Sequence, residues 1–304
     1  MRPELIIICG ATASGKSQLA LDVAKKLNTS IVYADSLAIY KDLDIGTAKP
    51  TKQEMQEVKH YLVDFVSPKS EFSVSDYEQH ALKAVNEILS QNKPAVICGG
   101  TGFYINSILY KLSYGNTAKN EEVRQKYLKM ASELGVDAVY NELKKVDGET
   151  ASKLHKNDVT RVVRALEIFY ATGTKKSLLN DDLKPRFSYV AVSIDMPRNV
   201  LYDRINLRVD KMVENGLIEE VKGLIKNGIT IENQCMQGIG YKEIYEGIKS
   251  DNLVDAIEKI KLNSRHYAKR QITFFKRLEN LNSISGNRQE LLEKTLDLYY
   301  NYNC

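Results

Sequence analysis

The chain has 304 residues, 43% of them hydrophobic and 27% charged, with a formal net charge of +4 at pH 7. That is the make-up of an ordinary globular protein, long enough to bury a real core and to hold two domains. No apolar run approaches the roughly 18 residues of a membrane span, and so modest a charge means that any nucleic-acid face must come from local clustering. The first apolar run begins too near the N-terminus to leave room for a signal peptide, so the cytoplasm is the expected location. Cys9, Cys98, Cys235 and Cys304 lie far apart, without a Cys-x-x-Cys pair or a histidine at zinc spacing, and read as core thiols.

Leu5–Cys9 is a short run of β-type apolar residues and predicts a buried parallel strand. Gly10, Ala11, Thr12, Ala13, Ser14, Gly15, Lys16 and Ser17 follow at once and match G-x-x-x-x-G-K-[ST] at every fixed position. Behind them Leu19, Ala20, Val23, Ala24 and Leu27 recur at helical spacing. Strand, glycine loop and helix together aim backbone N–H groups and a helix N-terminus at phosphate oxygens. Lys16 adds a point charge for the terminal phosphates, and the Ser17 hydroxyl helps to hold Mg²⁺. The loop therefore predicts a polyphosphate ligand without saying which.

A second strand, Ile31–Ala34, stops at Asp35 and Ser36. An acid at the carboxyl end of a parallel strand lies where open α/β sheets bind ligands; its competing role is that of a turn cap. Residues 44–50 read as a polar loop, 52–59 as a helix, 60–64 as a short strand with a structural His60, and 73–90 as a helix. Another buried strand, residues 95–98, ends in Gly99, Gly100, Thr101 and Gly102. Many P-loop enzymes carry an acid for Mg²⁺ at that place. Glycines there are expected to let the backbone approach a ligand closely, and Thr101 to donate a hydrogen bond without adding charge.

From about Gly115 the pattern turns helical, over Glu121–Leu134, 137–145 and 158–172, and strand character returns only at 189–195. A helical subdomain over 115–188, inserted into a core of 1–114 and 189–304, is the natural reading. Arg124 lies on its first helix, and Arg161 and Arg164 share a face of its last. Past Pro197, Arg204, Arg208 and Lys211 share a helix face, with Asp203 and Asp210 as ordinary salt-bridge alternatives. Residues 261–277 hold Lys261, Arg265, Lys269, Arg270, Lys276 and Arg277 and no acid, interleaved with Tyr267, Phe274 and Phe275. A merely solvated helix mixes signs, so this one reads as lying along a phosphate backbone.

In this order the stretches GATASGKS (10–17), DSLAIY (35–40), DIGTAKP (44–50), GGTGFY (99–104), NDVTRVVRALE (157–167), GIGYKE (238–243) and AKRQITFF (268–275) resemble the tRNA dimethylallyltransferase, or tRNA isopentenyltransferase, family nearly end to end. The resemblance implies an α/β fold: a P-loop NTPase-like parallel sheet core with an inserted all-helical subdomain and a helical C-terminal region. It implies transfer of a dimethylallyl group from dimethylallyl diphosphate to N6 of the adenosine next to the anticodon, in tRNAs reading codons that start with U. The loop residues Gly10 to Ser17, Lys16, Arg208 and Mg²⁺ at Ser17 would take the diphosphate, Thr101 would reach its bridging oxygen, and Asp35 would be the base. The tRNA contacts implied are Asp35, Ser36, Leu37, Ala38 and Thr101 at the site, Arg124, Thr160, Arg161 and Arg164 on the insertion, and Arg265, Lys269 and Arg270 near the C-terminus. Together these would grip the anticodon arm; no membrane partner is implied and a monomer is expected.

Three positions depart from the family pattern. Ala11 stands for its Pro, Ala38 for its Gln, and Phe274 or Phe275 for its Trp; with Ala38, base contact there is expected to be weaker or to come from another group. The residues taken alone also admit a small-molecule kinase, an isopentenyltransferase acting on free AMP or ADP, or a nucleic-acid-binding protein with a relict P-loop. The insertion and the basic helix weigh against a free mononucleotide, which needs neither.

Overall fold

A computed structural model describes residues 2–114 and 120–302. Residues 115–119, where the sequence puts the start of the insertion, and Cys304 lie outside the described residues. By internal contacts the chain divides into two compact units, one of Met1–Leu109 with Pro185–Cys304 and the other of Tyr110–Lys184.

The first unit is built on six parallel strands: β1 (Leu5–Cys9), β2 (Ile31–Ala34), β3 (His60–Tyr61), β4 (Ala95–Gly99), β5 (Tyr189–Ile194) and β6 (Leu281–Ile284), in the order β3-β2-β4-β1-β5-β6. β1 pairs with β4 on one side and β5 on the other, with Ile8 opposite both Cys98 and Val192. All five of its residues are buried, which is why it reads as an unbroken apolar run rather than an alternation. Ile6 and Ile8 face a core shared with α1 (Lys16–Lys26), through Leu19, Ala20, Val23 and Ala24. Each isoleucine, leucine or valine among them removed from water is worth about 1.5–3 kcal/mol. After β2 come α2 (Lys52–Glu57) and α3 (Val74–Leu89), and after β4 comes α4 (Gly102–Leu109). Buried Tyr77 of α3 and Tyr104 of α4 stack with ring centroids 3.7 Å apart.

The second unit packs α5 (Glu121–Leu134), α6 (Val136–Val146), α7 (Gly148–Lys153) and α8 (Val159–Thr172) around Tyr127, Val139, Leu143, Val162, Val163 and Leu166. The short α7 escaped sequence reading because six residues are too few for helical periodicity to register. It starts at the buried Asp147, which accepts from Thr150 N, Thr150 Oγ1 and Ser177 N at 3.0, 2.6 and 3.0 Å. Burial pushes this carboxyl up, but those bonds to its charged form prevail and hold it at about 2.

The first unit resumes with α9 (Arg198–Glu214), α10 (Leu217–Lys226), α11 (Tyr241–Lys249), α12 (Leu253–Phe275) and α13 (Arg288–Tyr300). The basic helix is thus longer than its cationic run, since it starts at an Asn252 cap. β6 is a strand that the sequence did not reveal: four residues, Leu-Asn-Ser-Ile, paired on one side only. The strand expected over 60–64 shrinks to His60–Tyr61, because Leu62 and Asp64 take left-handed backbone angles (φ 64° and 59°). His60 is structural, its Nδ1 2.8 Å from Val58 O, and burial lowers its pKa. Among the described residues no helix is long and apolar enough to cross a membrane, and Cys9, Cys98 and Cys235 are buried free thiols. Burial pushes Cys98 up to about 11, which keeps it a thiol at neutral pH.

Candidate active site

The phosphate loop joins the carboxyl end of β1 to α1. Gly15, left-handed at φ 97°, turns the chain into the helix at an angle that a side chain would strain. Ser14 Oγ is buried with no hydrogen-bond partner among the described residues, a polar atom that asks for a ligand. Lys16 Nζ donates to Ala11 O at 3.2 Å, and the exposed Ser17 has its Oγ 3.1 Å from Tyr33 Oη. Arg208, from α9, donates to Thr47 O at 3.4 Å. Burial lowers the pKa of both Lys16 and Arg208, and for Lys16 the charge of Arg208 lowers it further. Asp35 is the acid whose charge acts on both. Among the described residues neither cation forms an ion pair. Two converging, desolvated cations without salt-bridge partners make a site for an anion.

Asp35 caps a turn as well as standing at the strand end. Its Oδ1 accepts from Leu37 N at 2.9 Å and Ala38 N at 3.2 Å, while Oδ2 has no hydrogen-bond partner among the described residues. Thr101 Oγ1 accepts from Ser36 N at 3.1 Å, which joins the two strand ends. Asp35, Ser36, Leu37, Thr12, Arg208 and Arg270 line one cavity of about 360 Å³, the size of a small-molecule site. Leu37, Ile205, Val209, Met212, Ile239 and Ile260 give the same cavity an apolar lining.

The glycines after β4 serve packing rather than a ligand, contrary to expectation. A Cβ on Gly99 would lie 2.0 Å from Ala34 O, one on Gly100 2.1 Å from Gln271 Nε2, and one on Gly102 2.2 Å from the Phe274 ring. The neighbouring strand and α12 occupy the space that the sequence seemed to leave for a substrate. Of the two aromatics near the end of α12, Phe274 packs against Gly102, and Phe275 is core, 2% exposed.

Several residues read as RNA contacts have other duties. Ala38 is wholly buried and offers no side-chain surface, so its assignment as a contact is corrected. Arg124 and Arg164 both bind Glu167, which is 0% exposed: Arg124 Nε lies 2.6 Å from Oε1 and Arg164 Nη1 3.0 Å from Oε2. Arg265 donates to Asn206 Oδ1 at 2.6 Å and is partly buried. Lys261 takes Asp210 and Glu258 at 2.8 and 2.9 Å, so Asp210 serves α12 rather than Arg208 or Lys211. Thr160, Arg161 and Lys269 are exposed, and Arg270, over the Tyr267 ring at 5.6 Å, reaches the cavity.

Glu167 supports a stability prediction. Burial raises its carboxyl, but the two arginines outweigh that and leave it below the ordinary range. A depressed carboxylate stabilises the fold above its unfolded pKa of about 4.3 and ceases to do so as pH falls through the lower folded value. Glu167→Ala leaves two arginines without their acid; being about a quarter exposed (23% and 26%), they can turn to water. The expected loss is about 2 kcal/mol, below the 3–5 of a fully buried pair. Urea unfolding at neutral pH measures it, and a loss under about 0.5 kcal/mol would show the triad to be a solvated surface pair.

Sequence reasoning missed two side chains that hold the site together. Glu220 of α10 accepts from the backbone N–H of Asp44, Ile45 and Gly46 at 2.9, 2.8 and 3.2 Å and from Tyr241 Oη at 2.7 Å. It thereby fixes the loop that carries Thr47 to Arg208. Gln271 of α12 holds the phosphate loop itself, through Thr12 N at 2.8 Å. Neither has a local signal, since the backbone groups they hold lie more than 170 residues away in sequence.

Residues 38–278 match the model of the IPP transferase family. A tRNA dimethylallyltransferase of Thermoanaerobacter sp. (strain X514) is 46% identical over 282 residues, 91% of this chain and 90% of the relative. The crystal structure of the tRNA isopentenylpyrophosphate transferase of Bacillus halodurans is similar at TM-score 0.73 and 37% identity, covering 97% of this chain and 95% of that one. A eukaryotic dimethylallyltransferase described as acting on tRNA gives TM-score 0.76 at 31% identity, over 92% of this chain and 73% of that one. With a phosphate loop, a strand-end acid and an apolar-walled cavity in one unit, and with similarity over nearly its whole length, the chain belongs to the IPP transferase family of tRNA dimethylallyltransferases.

Proposed function

We propose that the chain transfers the dimethylallyl group of dimethylallyl diphosphate to N6 of the adenosine next to the anticodon, in tRNAs reading codons that start with U. In this reaction the C1–O bond to diphosphate breaks, the N6–C1 bond forms, and N6 gives up a proton. The exocyclic amine is a poor nucleophile because its lone pair is delocalised into the ring. The enzyme must therefore take up the leaving charge and hold the amine in line behind C1. Lys16, Arg208 and the loop amides stabilise the departing diphosphate, Thr101 donates to the bridging oxygen, and Asp35 orients N6 and takes its proton. The base reaches the cavity by leaving its stack.

The observation that carries this reading is the composition of the cavity: Asp35 and Arg208 line it together with six apolar side chains. Apolar lining of this kind suits a prenyl chain and a purine together. Mg²⁺ keeps several waters and takes one or two protein oxygens beside those of phosphate. The Ser17 hydroxyl, exposed at the first turn of α1, is an oxygen of that kind and would hold the ion. When bound, Mg²⁺ supplies charge neutralisation to the diphosphate. The test offers purified protein labelled dimethylallyl diphosphate with unmodified tRNA, AMP or ADP, and separately ATP. Label in tRNA alone is expected; label in AMP or ADP, or ATP turnover, would replace the reading.

Exposed Lys269 and Arg161 are the cations that support phosphate contacts. Lys269→Ala and Arg161→Ala are each expected to raise the KM for tRNA and to reduce the log–log salt slope of binding by about 0.7–0.9. Donor KM should stay unchanged. Salt plots parallel to the wild type would make both charges mere solvation.

A further inference from the structure

The amide of Gln271 joins two parts of the site that are 88 residues apart in sequence. It lies near the C-terminal end of α12, in the basic run, yet it is 4% exposed. Its Oε1 accepts the Thr12 N–H of the phosphate loop at 2.8 Å, and its Nε2 donates to Gly100 O at 3.0 Å. Tyr267, one turn earlier on the same face, donates to that carbonyl at 3.3 Å. Gly100 precedes Thr101, and Thr12 lines the cavity. A Cβ at residue 100 would come within 2.1 Å of Nε2, so the approach depends on glycine there.

The chemistry of the pair is demanding. One partner is a backbone donor and the other a backbone acceptor, so the side chain between them must offer both functions at one planar end. Leucine offers neither, and a glutamate offers the donor only when protonated. A buried amide can serve simply to satisfy stray polar groups. Here, however, the N–H it holds belongs to the loop that takes diphosphate, and the carbonyl it holds sets the turn that presents Thr101.

We propose that Gln271 is a positioning residue of the transfer reaction, registering Thr12 of the phosphate loop against the Gly100–Thr101 turn so that the leaving diphosphate and the Thr101 hydroxyl meet in line. It acts through Thr12 and Gly100 and touches no reactant. The inference rests on the roles given above to the loop and to Thr101.

Gln271→Leu keeps the bulk and removes both bonds. Gln271→Glu keeps the shape and the acceptor, and regains the donor when protonated. At saturating tRNA, Gln271→Leu is expected to lower kcat on the order of 10- to 100-fold, the scale of a sub-ångström to 1 Å misplacement. The tRNA Kd should stay within about 2-fold of wild type. Gln271→Glu should match it at pH 8.5 and recover toward wild type as pH falls toward 5.5, because burial against a carbonyl favours the protonated acid. Tyr267, Arg270 and Asp35 are the titratable groups that face this place. Burial holds Tyr267 at about 12, so it does not change in this range. Rates are taken as a ratio to wild type at each pH, so that what titrates alike in both enzymes cancels.

A Gln271→Leu enzyme with wild-type kcat per folded molecule, or a Gln271→Glu ratio flat with pH, would overturn the proposal. If Gln271→Leu does not fold, the pH dependence of the Gln271→Glu ratio decides alone. Wild-type protein that labels no tRNA would instead overturn the reaction itself, an outcome visible before any variant is compared.

Discussion

Asp35→Asn is expected to bind tRNA and donor almost as the wild type does, and to turn over on the order of 10²-fold more slowly or worse, the scale of a lost general base. The geometry makes asparagine a clean probe. Oδ1 of Asp35 accepts from Leu37 N and Ala38 N, and the asparagine carbonyl can keep both bonds. What changes is the second oxygen, which becomes an NH₂ group that can neither accept a proton from N6 nor receive its N–H. Asp35→Ala removes the turn cap as well. It should add a stability loss of about 0.5–2 kcal/mol, typical of a lost capping side chain, which Asp35→Asn should not show. Single-turnover rates, tRNA affinity and unfolding midpoints on the two variants separate the roles. Normal turnover with weakened tRNA binding in Asp35→Asn would make Asp35 a recognition residue.

The parts of the fold legible in the sequence are those whose causes are local. β1, the phosphate loop and α1 are contiguous, so an apolar run, two glycines and a helical repeat sufficed to find them. The long helices of the second unit were legible for the same reason, through three or four turns of periodicity each. β6 was not, because an edge strand of four residues carries no pattern beyond its own composition. The glycines at 99, 100 and 102 were correctly seen as places of close approach but given the wrong neighbour. A glycine reports that something comes near, not whether it is a ligand, strand β2 or helix α12.

Charge was legible only as a sum. The run from Lys261 to Arg277 has no acid of its own, yet Lys261 finds Asp210 on α9 and Arg265 finds Asn206. Arg124 and Arg164 converge on Glu167 from two helices. Arg164 and Glu167 are three apart on α8, but the other pairings depend on packing between elements, as do the bonds of Gln271 and Glu220, and no spacing along the chain encodes them. The same packing brings Arg208 beside Lys16, two cations that the sequence separates by 192 positions.

That convergence shapes what the loss of Lys16 should do. Lys16→Ala is expected to lower kcat about 10²- to 10³-fold, as loss of a preorganised donor to a developing anion does, and to raise donor KM by much less. Ground-state diphosphate already carries most of its charge and keeps Arg208 and the loop amides. The additional charge that appears as C1–O breaks is what Lys16 is placed to meet, and an interaction stronger in the transition state is read in kcat. Burial lowers the pKa of Lys16, and the nearby guanidinium of Arg208 lowers it further, although the carboxylate of Asp35 acts the other way. Bound diphosphate favours the charged ammonium. Donor affinity should therefore be full below the free-enzyme pKa of Lys16 and decline as pH rises through it, at a pH below the ordinary lysine value of about 10.4. Lys16→Ala has no group to lose there, so its donor affinity should lack that alkaline decline. Diphosphate affinity measured from pH 7 to 10 on both proteins, beside kcat and KM at neutral pH, tests the two parts together. Equal activity in Lys16→Ala, or an alkaline limb that survives the substitution, would take the leaving group away from Lys16.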